Sequence, residues 1–143
     1  MLPAVPPRIV LDTNTLVASA YAENSASRRI VEACLRGELT GLLSPDLRRE
    51  YEHIFKQAIR VRRYDEALAK FLDQALLVEP EETPRVVPDD PDDDKLLAVA
   101  FAGAAKAIVT NDHHLLSLDP YHHLRILRPA EFVRRVSPYS TLP

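Results

Sequence analysis

Two short apolar runs constrain this chain most, because each is cut off by a carboxylate: Arg8-Ile9-Val10-Leu11-Asp12 and Ala107-Ile108-Val109-Thr110-Asn111-Asp112. Runs of this length and composition read as buried strands. Between and after them lie stretches whose apolar residues recur at helical spacing, so strand and helix alternate along the chain. That alternation favours an α/β fold, a three-layer α/β/α sandwich around a mostly parallel central sheet. In such a sheet the carboxyl ends of the strands and the amino ends of the following helices share one edge. Open α/β sheets bind their ligands at that edge.

The elements follow from local chemistry. A short helix is expected over 15–21. Ser25 or Ser27 then caps a helix carrying Ile30, Val31, Cys34 and Leu35, which Gly37 closes. Leu39 to Leu43 reads as a strand, and Ser44-Pro45-Asp46 supplies a capping hydroxyl, a first-turn proline and an acid facing the helix dipole. The helix that follows shows Leu47, Tyr51, Ile54, Phe55, Ala58 and Ile59 on one face. Another, over about 65–76, carries Ala67, Leu68, Phe71, Leu72 and Ala75. These two are expected to pair antiparallel, with 60–64 as the turn. Leu77-Val78 is a candidate strand, and prolines make 79–91 irregular. A buried helix is expected from Pro91 or Asp92 to Ala104, a helical turn from His114 to Ser117, a strand from Leu124 to Leu127, and a last helix from Pro129 to Val136.

At 143 residues the chain makes one domain, 1–143, with 1–7 and 137–143 expected as frayed tails. Hydrophobic residues at 46% and charged ones at 27% are ordinary for a globular protein. The longest apolar run, Leu96 to Ala105, falls short of the ~18 residues that span a bilayer, so no membrane segment is expected. The first seven residues lack the basic region and apolar core of a signal peptide. A single cysteine, Cys34, permits no internal disulfide, which points to the cytoplasm. A net charge of −3 is no nucleic-acid signature by itself, but it is unevenly spread. Arg48, Arg49, Lys56, Arg60, Arg62 and Arg63 cluster, and so do Asp89, Asp90, Asp92, Asp93 and Asp94. An acidic centre beside a basic rim suits phosphodiester chemistry; the plain alternative is an arginine-bearing helix face kept in water.

Four acids are the candidate site: Asp12, Glu50, Asp94 and Asp112. Asp12 precedes Thr13-Asn14, three oxygen-bearing side chains at one strand end, and Asn14 could hold a bound water or a neighbouring ligand. A turn-opening role is the simpler reading of Asp12. Glu50 borders its helix's apolar stripe, between Leu47 and Ile54, and should point partly inward. Glu52 on the same helix looks solvated. Asp94 is the last acid before Leu96-Leu97-Ala98-Val99-Ala100; Asp90 or Asp93 could replace or supplement it. Asp112 ends the second run behind Thr110 and Asn111, the Asp-Thr-Asn chemistry again in permuted order. Carboxylates gathered in one cleft repel unless a multivalent cation joins them.

Other chemistries find little support. His113, His114, His122 and His123 form adjacent pairs, unlike zinc-ligand spacings, and one cysteine makes no thiolate cluster. Glycines at 37, 41 and 103 cannot build a phosphate loop, and there is no serine-hydrolase elbow. An all-oxygen cluster favours Mg²⁺ or Mn²⁺.

Taken together, Ile9-Val10-Leu11-Asp12-Thr13-Asn14, the Glu50 helix, Asp94 before Leu96-Leu97-Ala98, and Val109-Thr110-Asn111-Asp112 resemble the PIN-domain nucleases, most of all the toxin components of toxin–antitoxin pairs. The likeness extends to the closing Ile126-Leu127-Arg128-Pro129-Ala130-Glu131-Phe132. It implies an α/β/α sandwich that cleaves single-stranded RNA with Mg²⁺ or Mn²⁺. It puts the acidic quartet on Asp12, Glu50, Asp94 and Asp112, with Asn14 and Thr110 behind them. A cognate antitoxin from a separate gene and a homodimer are further implications. Arg48 or Arg49 would hold substrate phosphates. Two rival readings stand beside this one. The first is a non-catalytic RNA- or partner-binding module. The second is a phosphatase with Asp12 as nucleophile, which would usually carry an aspartate where Asn14 stands.

Overall fold

A computed structural model describes residues 5–22, 24–58, 64–81 and 91–136. The elements are β1 (Arg8–Leu11), α1 (Thr13–Tyr21), α2 (Ala26–Leu35), β2 (Thr40–Leu43), α3 (Pro45–Ala58), α4 (Asp65–Gln74), β3 (Leu76–Leu77), α5 (Pro91–Ala102), β4 (Ala107–Val109), α6 (His113–Leu116), β5 (Arg125–Leu127) and α7 (Pro129–Val136). The five strands form one sheet in the order β3-β2-β1-β4-β5, and every pairing is parallel. Ile9 lies opposite Gly41 on one side and Ala107 on the other, so β1 is central. All of Ile9, Val10, Leu11, Ala107, Ile108 and Val109 are buried, as strands covered on both faces must be.

Alternation along β2 separates the two helical layers. A side chain on Gly41 would meet the Phe71 ring of α4, while Leu42 on the opposite face lies against Gly103 at the end of α5. A Cβ on Gly103 would come within 2.5 Å of Leu42 Cδ1, so any larger residue there would have to push the buried Leu42 side chain aside. On the first face α4 packs against α2, which also meets α1 and α7. On the second, α5 lies across β1, β2 and β4.

The end of α5 fixes its direction. Arg8 Nη1 donates to the Gly103 carbonyl at 3.1 Å, and the Lys106 N–H donates to the Arg8 carbonyl at 2.8 Å. Both contacts lie at the amino edge of the sheet. A helix of this length runs about 18 Å, against about 13 Å for a four-residue strand. The start of α5 therefore reaches the carboxyl edge. The chain moves from β1 outward to β2 and β3, then returns to β4 and β5 on the other side. That reversal puts the topological switch point between the carboxyl ends of β1 and β4.

Several boundaries differ from sequence expectation. α1 starts at Thr13 rather than 15, because Asp12 already accepts the Thr15 and Leu16 N–H groups on its backbone carbonyl. Ser25, not Ser27, caps α2, accepting the Arg28 N–H at 3.1 Å. β3 is Leu76–Leu77, an exposed edge, and α6 begins one residue early at His113. α5 ends at Ala102, and Phe101 surfaces with 44% exposure against an expectation of burial to Ala104. Arg48 near the start of α3 reaches the Leu72 carbonyl near the end of α4, a contact that an antiparallel course allows, but α4 packs on α2 and β2 rather than on α3. Ile59, residues 60–63 and their arginines, and Asp90 lie outside the described residues, as do 1–4 and 137–143. Among the described residues no helix is long and apolar enough to cross a membrane.

Candidate active site

Asp12 leaves β1 at the switch point. Its N–H continues the β1–β4 pairing to the Val109 carbonyl at 3.0 Å. It occupies the N-cap of α1, yet its side chain makes no capping hydrogen bond. Oδ2 instead accepts the Thr110 hydroxyl at 2.7 Å. Burial pushes the carboxyl above its usual range, and the nearby charge of Asp112 pushes the same way. The Thr110 hydroxyl and the Asn14 and Thr13 N–H groups oppose the shift without cancelling it.

Thr110 is fully buried, and its N–H carries the β4–β5 pairing one residue further, to Leu127. The same hydroxyl that donates to Asp12 accepts the Asp112 N–H at 3.0 Å. Asp112 caps α6, taking the His114 N–H on Oδ1 at 2.8 Å. The turn-forming role that its position suggests is therefore real, and it coexists with a charge that Asp12 feels.

Glu50 arrives from α3. The helix starts where expected, with Ser44 Oγ accepting the Leu47 N–H at 3.0 Å. Glu50 is half-buried and faces inward, and its Oε2 accepts the Thr13 hydroxyl at 2.6 Å. The next residue, Tyr51, is fully buried and donates its phenol to the Leu11 carbonyl. Burial raises the Tyr51 hydroxyl well above its usual range, with the Asp12 and Glu50 charges adding to the effect. Both acids thus lie within electrostatic reach of one phenol.

Asp94 sits in the first turn of α5 and is buried, with 6% exposure, at the carboxyl edge. A cleft of about 280 Å³ is lined by Ser44, Asp46, Glu79, Lys95 and Ala98, the last two on α5 with Asp94, and none of the four acids lines it. Hydrogen bonds through Thr110 link Asp12 to Asp112, and Glu50 bonds Thr13, the chain neighbour of Asp12, whereas the topology of α5 puts Asp94 at the same edge of the sheet. Among the described residues no three Asp, Glu, His or Cys side chains stand close enough to share one metal ion. Glu50, Asp12 and Asp112 accept hydroxyl or N–H donors instead. Asn14 is exposed on the first turn of α1.

The two arginines differ. Arg48 pairs with Glu52 at 2.9 Å and Asp73 at 3.3 Å, which draws it toward the end of α4. Arg49 is exposed and pairs with Asp46 of the cleft. All four histidines at 113, 114, 122 and 123 are exposed.

Sequence reasoning passed over Thr13, Tyr51 and Lys95 as individual residues. Thr13 was visible only as one oxygen of Asp-Thr-Asn, and Tyr51 reads as plain core in the α3 stripe. Lys95 interrupts nothing but the border between an acidic run and an apolar one. No curated protein matches the chain. Residues 8–114 match the PIN domain, a stretch that takes in all four acids. The chain therefore belongs to the PIN domain family, whose members are generally nucleases that typically bind divalent metals.

Proposed function

We propose that the chain is a Mg²⁺- or Mn²⁺-dependent endoribonuclease that hydrolyses phosphodiester bonds of single-stranded RNA, as the toxin of a toxin–antitoxin pair. The observation that carries this reading is the Thr110 bridge. It couples Asp12 to Asp112 at the switch point, while Thr13 ties the same strand end to Glu50.

The donor set fits a hard divalent cation. It is all oxygen, and Asp12 is a desolvated carboxylate under repulsion from Asp112, a cost that a cation would relieve. Asp12, Glu50, Asp94 and Asp112 would hold it after their side chains turn from the positions described, in which no three acids stand close enough to share one ion. Bound there, the ion would supply an activated water and neutralise charge on the leaving oxygen. The chain's own residues do the rest. Thr110 anchors one oxygen of the Asp12 carboxylate, and Asn14 is available to the approaching water or substrate. Lys95 lines the cleft and Arg49 pairs with Asp46 at its wall, and both would neutralise phosphates of the bound strand. A cognate antitoxin protein, a homodimer and a cytoplasmic setting complete the proposal.

The test is cleavage of end-labelled single-stranded RNA by purified protein with Mn²⁺ or with EDTA. Cleavage that needs Mn²⁺ and disappears in Asp12→Asn supports the assignment. Undiminished cleavage by Asp12→Asn refutes it. RNA bound equally in EDTA and left uncut in Mn²⁺ identifies a binding module instead.

A further inference from the structure

We propose that the amino edge of the sheet carries a separate binding site, a pocket that takes a nucleoside monophosphate with its base against Phe101 and its phosphate on Lys106. A cavity of about 460 Å³ opens where the end of α5 meets the turn before β5, lined by Ala100, Phe101, Ala105, Lys106, His122 and His123 among others. Pockets that hold small molecules span about 300–1,000 Å³. This one lies at the edge opposite Asp12 and Asp112, since the Lys106 N–H donates to the Arg8 carbonyl at the start of β1. The proposal therefore stands apart from the nuclease reading, and no metal enters it. Three rings meet at the pocket. Phe101 lies 5.6 Å from Tyr121 and 6.2 Å from His122 between centroids, and Tyr121 and His122 are 4.6 Å apart. Phe101 is nonetheless 44% exposed, so the group offers solvent an aromatic surface on which a flat base can stack.

The backbone around the pocket is strained on both sides. Reciprocal hydrogen bonds of 2.9 Å between Tyr121 and Leu124 make His122 and His123 the tip of a two-residue turn, and His122 takes a φ of 54°. Glycine or asparagine would build such a turn with less strain, so the turn alone does not account for a histidine. Its ring, set against Phe101 and Tyr121, does. Across the pocket the Ala105 N–H turns back to the Ala100 carbonyl at 2.8 Å, and Ala104 takes a φ of 53° where glycine is usual. Two left-handed residues other than glycine thus line one pocket, and strain of this kind collects at ligand sites. Charge selects the occupant. No Asp or Glu is among the described residues that line the pocket, although the chain holds 21 acids and a net charge of −3. The Lys106 ammonium makes no ion pair or hydrogen bond with a described residue, and His122 and His123 add ring N–H donors. Donors above an apolar floor suit an anion joined to a flat apolar body, which a base with its phosphate supplies. A peptide would also bring backbone N–H groups, for which this lining holds no carboxylate.

The experiment titrates the whole chain with adenosine monophosphate in EDTA and follows backbone amide shifts by nuclear magnetic resonance. Shifts should concentrate around Phe101, Lys106 and His122 and leave the amides around Asp12 and Asp112 unmoved. Phe101→Ala should weaken binding about 5–100-fold, the loss of one base–aromatic stack. Phe101→Leu carries the same expectation and replaces the alanine variant if that one does not fold. Lys106→Gln should weaken binding about 10–100-fold, the loss of a charge-assisted hydrogen bond. Adenosine, which has no phosphate, should bind wild type and Lys106→Gln alike. A trinucleotide with a terminal phosphate, titrated in parallel, tells the end of an RNA strand from a free nucleotide by which of the two binds more tightly. Wild-type affinity for adenosine monophosphate in the Phe101 variants or in Lys106→Gln overturns the proposal. So do shifts confined to the amides around Asp12 and Asp112, and inorganic phosphate that binds as tightly as the nucleotide. An acidic aromatic peptide that binds where the nucleotide does not would make this a protein-docking site and overturn it too. No readout depends on cleavage or metal, so a failure of the nuclease reading and a failure of this proposal are told apart.

Discussion

Thr110 and Asp12 lie 98 positions apart in the chain and 2.7 Å apart at Oγ1 and Oδ2. The same hydroxyl receives the Asp112 N–H, so one buried oxygen links two acids from two neighbouring strands. Its donor is spent on Asp12 and an acceptor site on Asp112. Rotation of the Thr110 side chain would break both bonds together. The parallel β1–β4 register, with Leu11 opposite Val109, brings the residues that follow each strand side by side.

Replacing Thr110 by valine should therefore cost more activity than stability. Shape is nearly kept, but Asp12 loses its anchor and the Asp112 N–H its acceptor. Cleavage should fall about 10–100-fold, as for other residues that orient a metal ligand. Unfolding in urea should show a loss of about 1–2 kcal/mol from the stranded groups. Wild-type turnover in Thr110→Val would show the bridge to be structural only.

Asp12→Asn should abolish cleavage and make the protein more stable at neutral pH. The Asp12 carboxyl is raised above its ordinary value of about 3.9. Below that value folded and unfolded chains are both protonated there, and Asp12 makes no difference. As pH climbs past it, the unfolded chain releases the proton first, so stability falls until the folded state has released it too. Asparagine never incurs that loss. At pH 7 the variant should melt above wild type. The gap should close on acidification toward pH 3. A gap that widens in acid, or a less stable variant at pH 7, contradicts the account.

The parts legible in the sequence were those that local chemistry dictates. The apolar runs at 9–11 and 107–109, the Ser44-Pro45 helix start and the Pro129 helix all stand where their residues require. The inward tilt of Glu50 was readable from its place beside Leu47 and Ile54. What could not be read was which hydroxyl answers which carboxylate. Thr13 and Thr110 each flank an aspartate in sequence, yet Thr13 serves Glu50 from α3, and Thr110 serves Asp12 from β1. Those pairings depend on strand register, a nonlocal property. Arg48 shows the same limit, since Asp73, its partner on α4's end, lies 25 positions away.

Divalent metal should stabilise the folded chain in proportion to its affinity. Mn²⁺ at about 100 times its Kd should add about 2.7 kcal/mol, a rise in Tm of about 5–10 °C, and EDTA should reverse it. Asp12→Asn should start from the higher Tm and show no such rise. Differential scanning fluorimetry across a Mn²⁺ series reads both effects. Equal metal-induced shifts in the two proteins would place the ion away from Asp12.

Cys34 should be inert to thiol reagents until the protein unfolds. Burial pushes its thiol up to about 12, and the thiolate is the reactive form. Ellman's reagent at pH 8 should label the native protein only as fast as it opens, and at once in denaturant. Rapid stoichiometric labelling of the native state would show Cys34 to be accessible.

Tyr51→Phe should lower stability by about 1–2 kcal/mol, because the Leu11 carbonyl loses a buried donor while the ring keeps its packing. That ring stacks on Phe55 with centroids 6.1 Å apart, a contact phenylalanine preserves. Burial and the adjacent acids hold the phenol well above its usual titration range, so it remains a donor through neutral and mildly alkaline pH. The loss should therefore be constant from pH 6 to about 9. The phenol ties α3 to the strand end that carries Asp12, so the variant should also loosen the Glu50 contact. Backbone hydrogen exchange at residues 11–13 should quicken beyond what global stability accounts for. Exchange there that merely follows the global change would mean the tether adds stability without setting the spacing of the two acids.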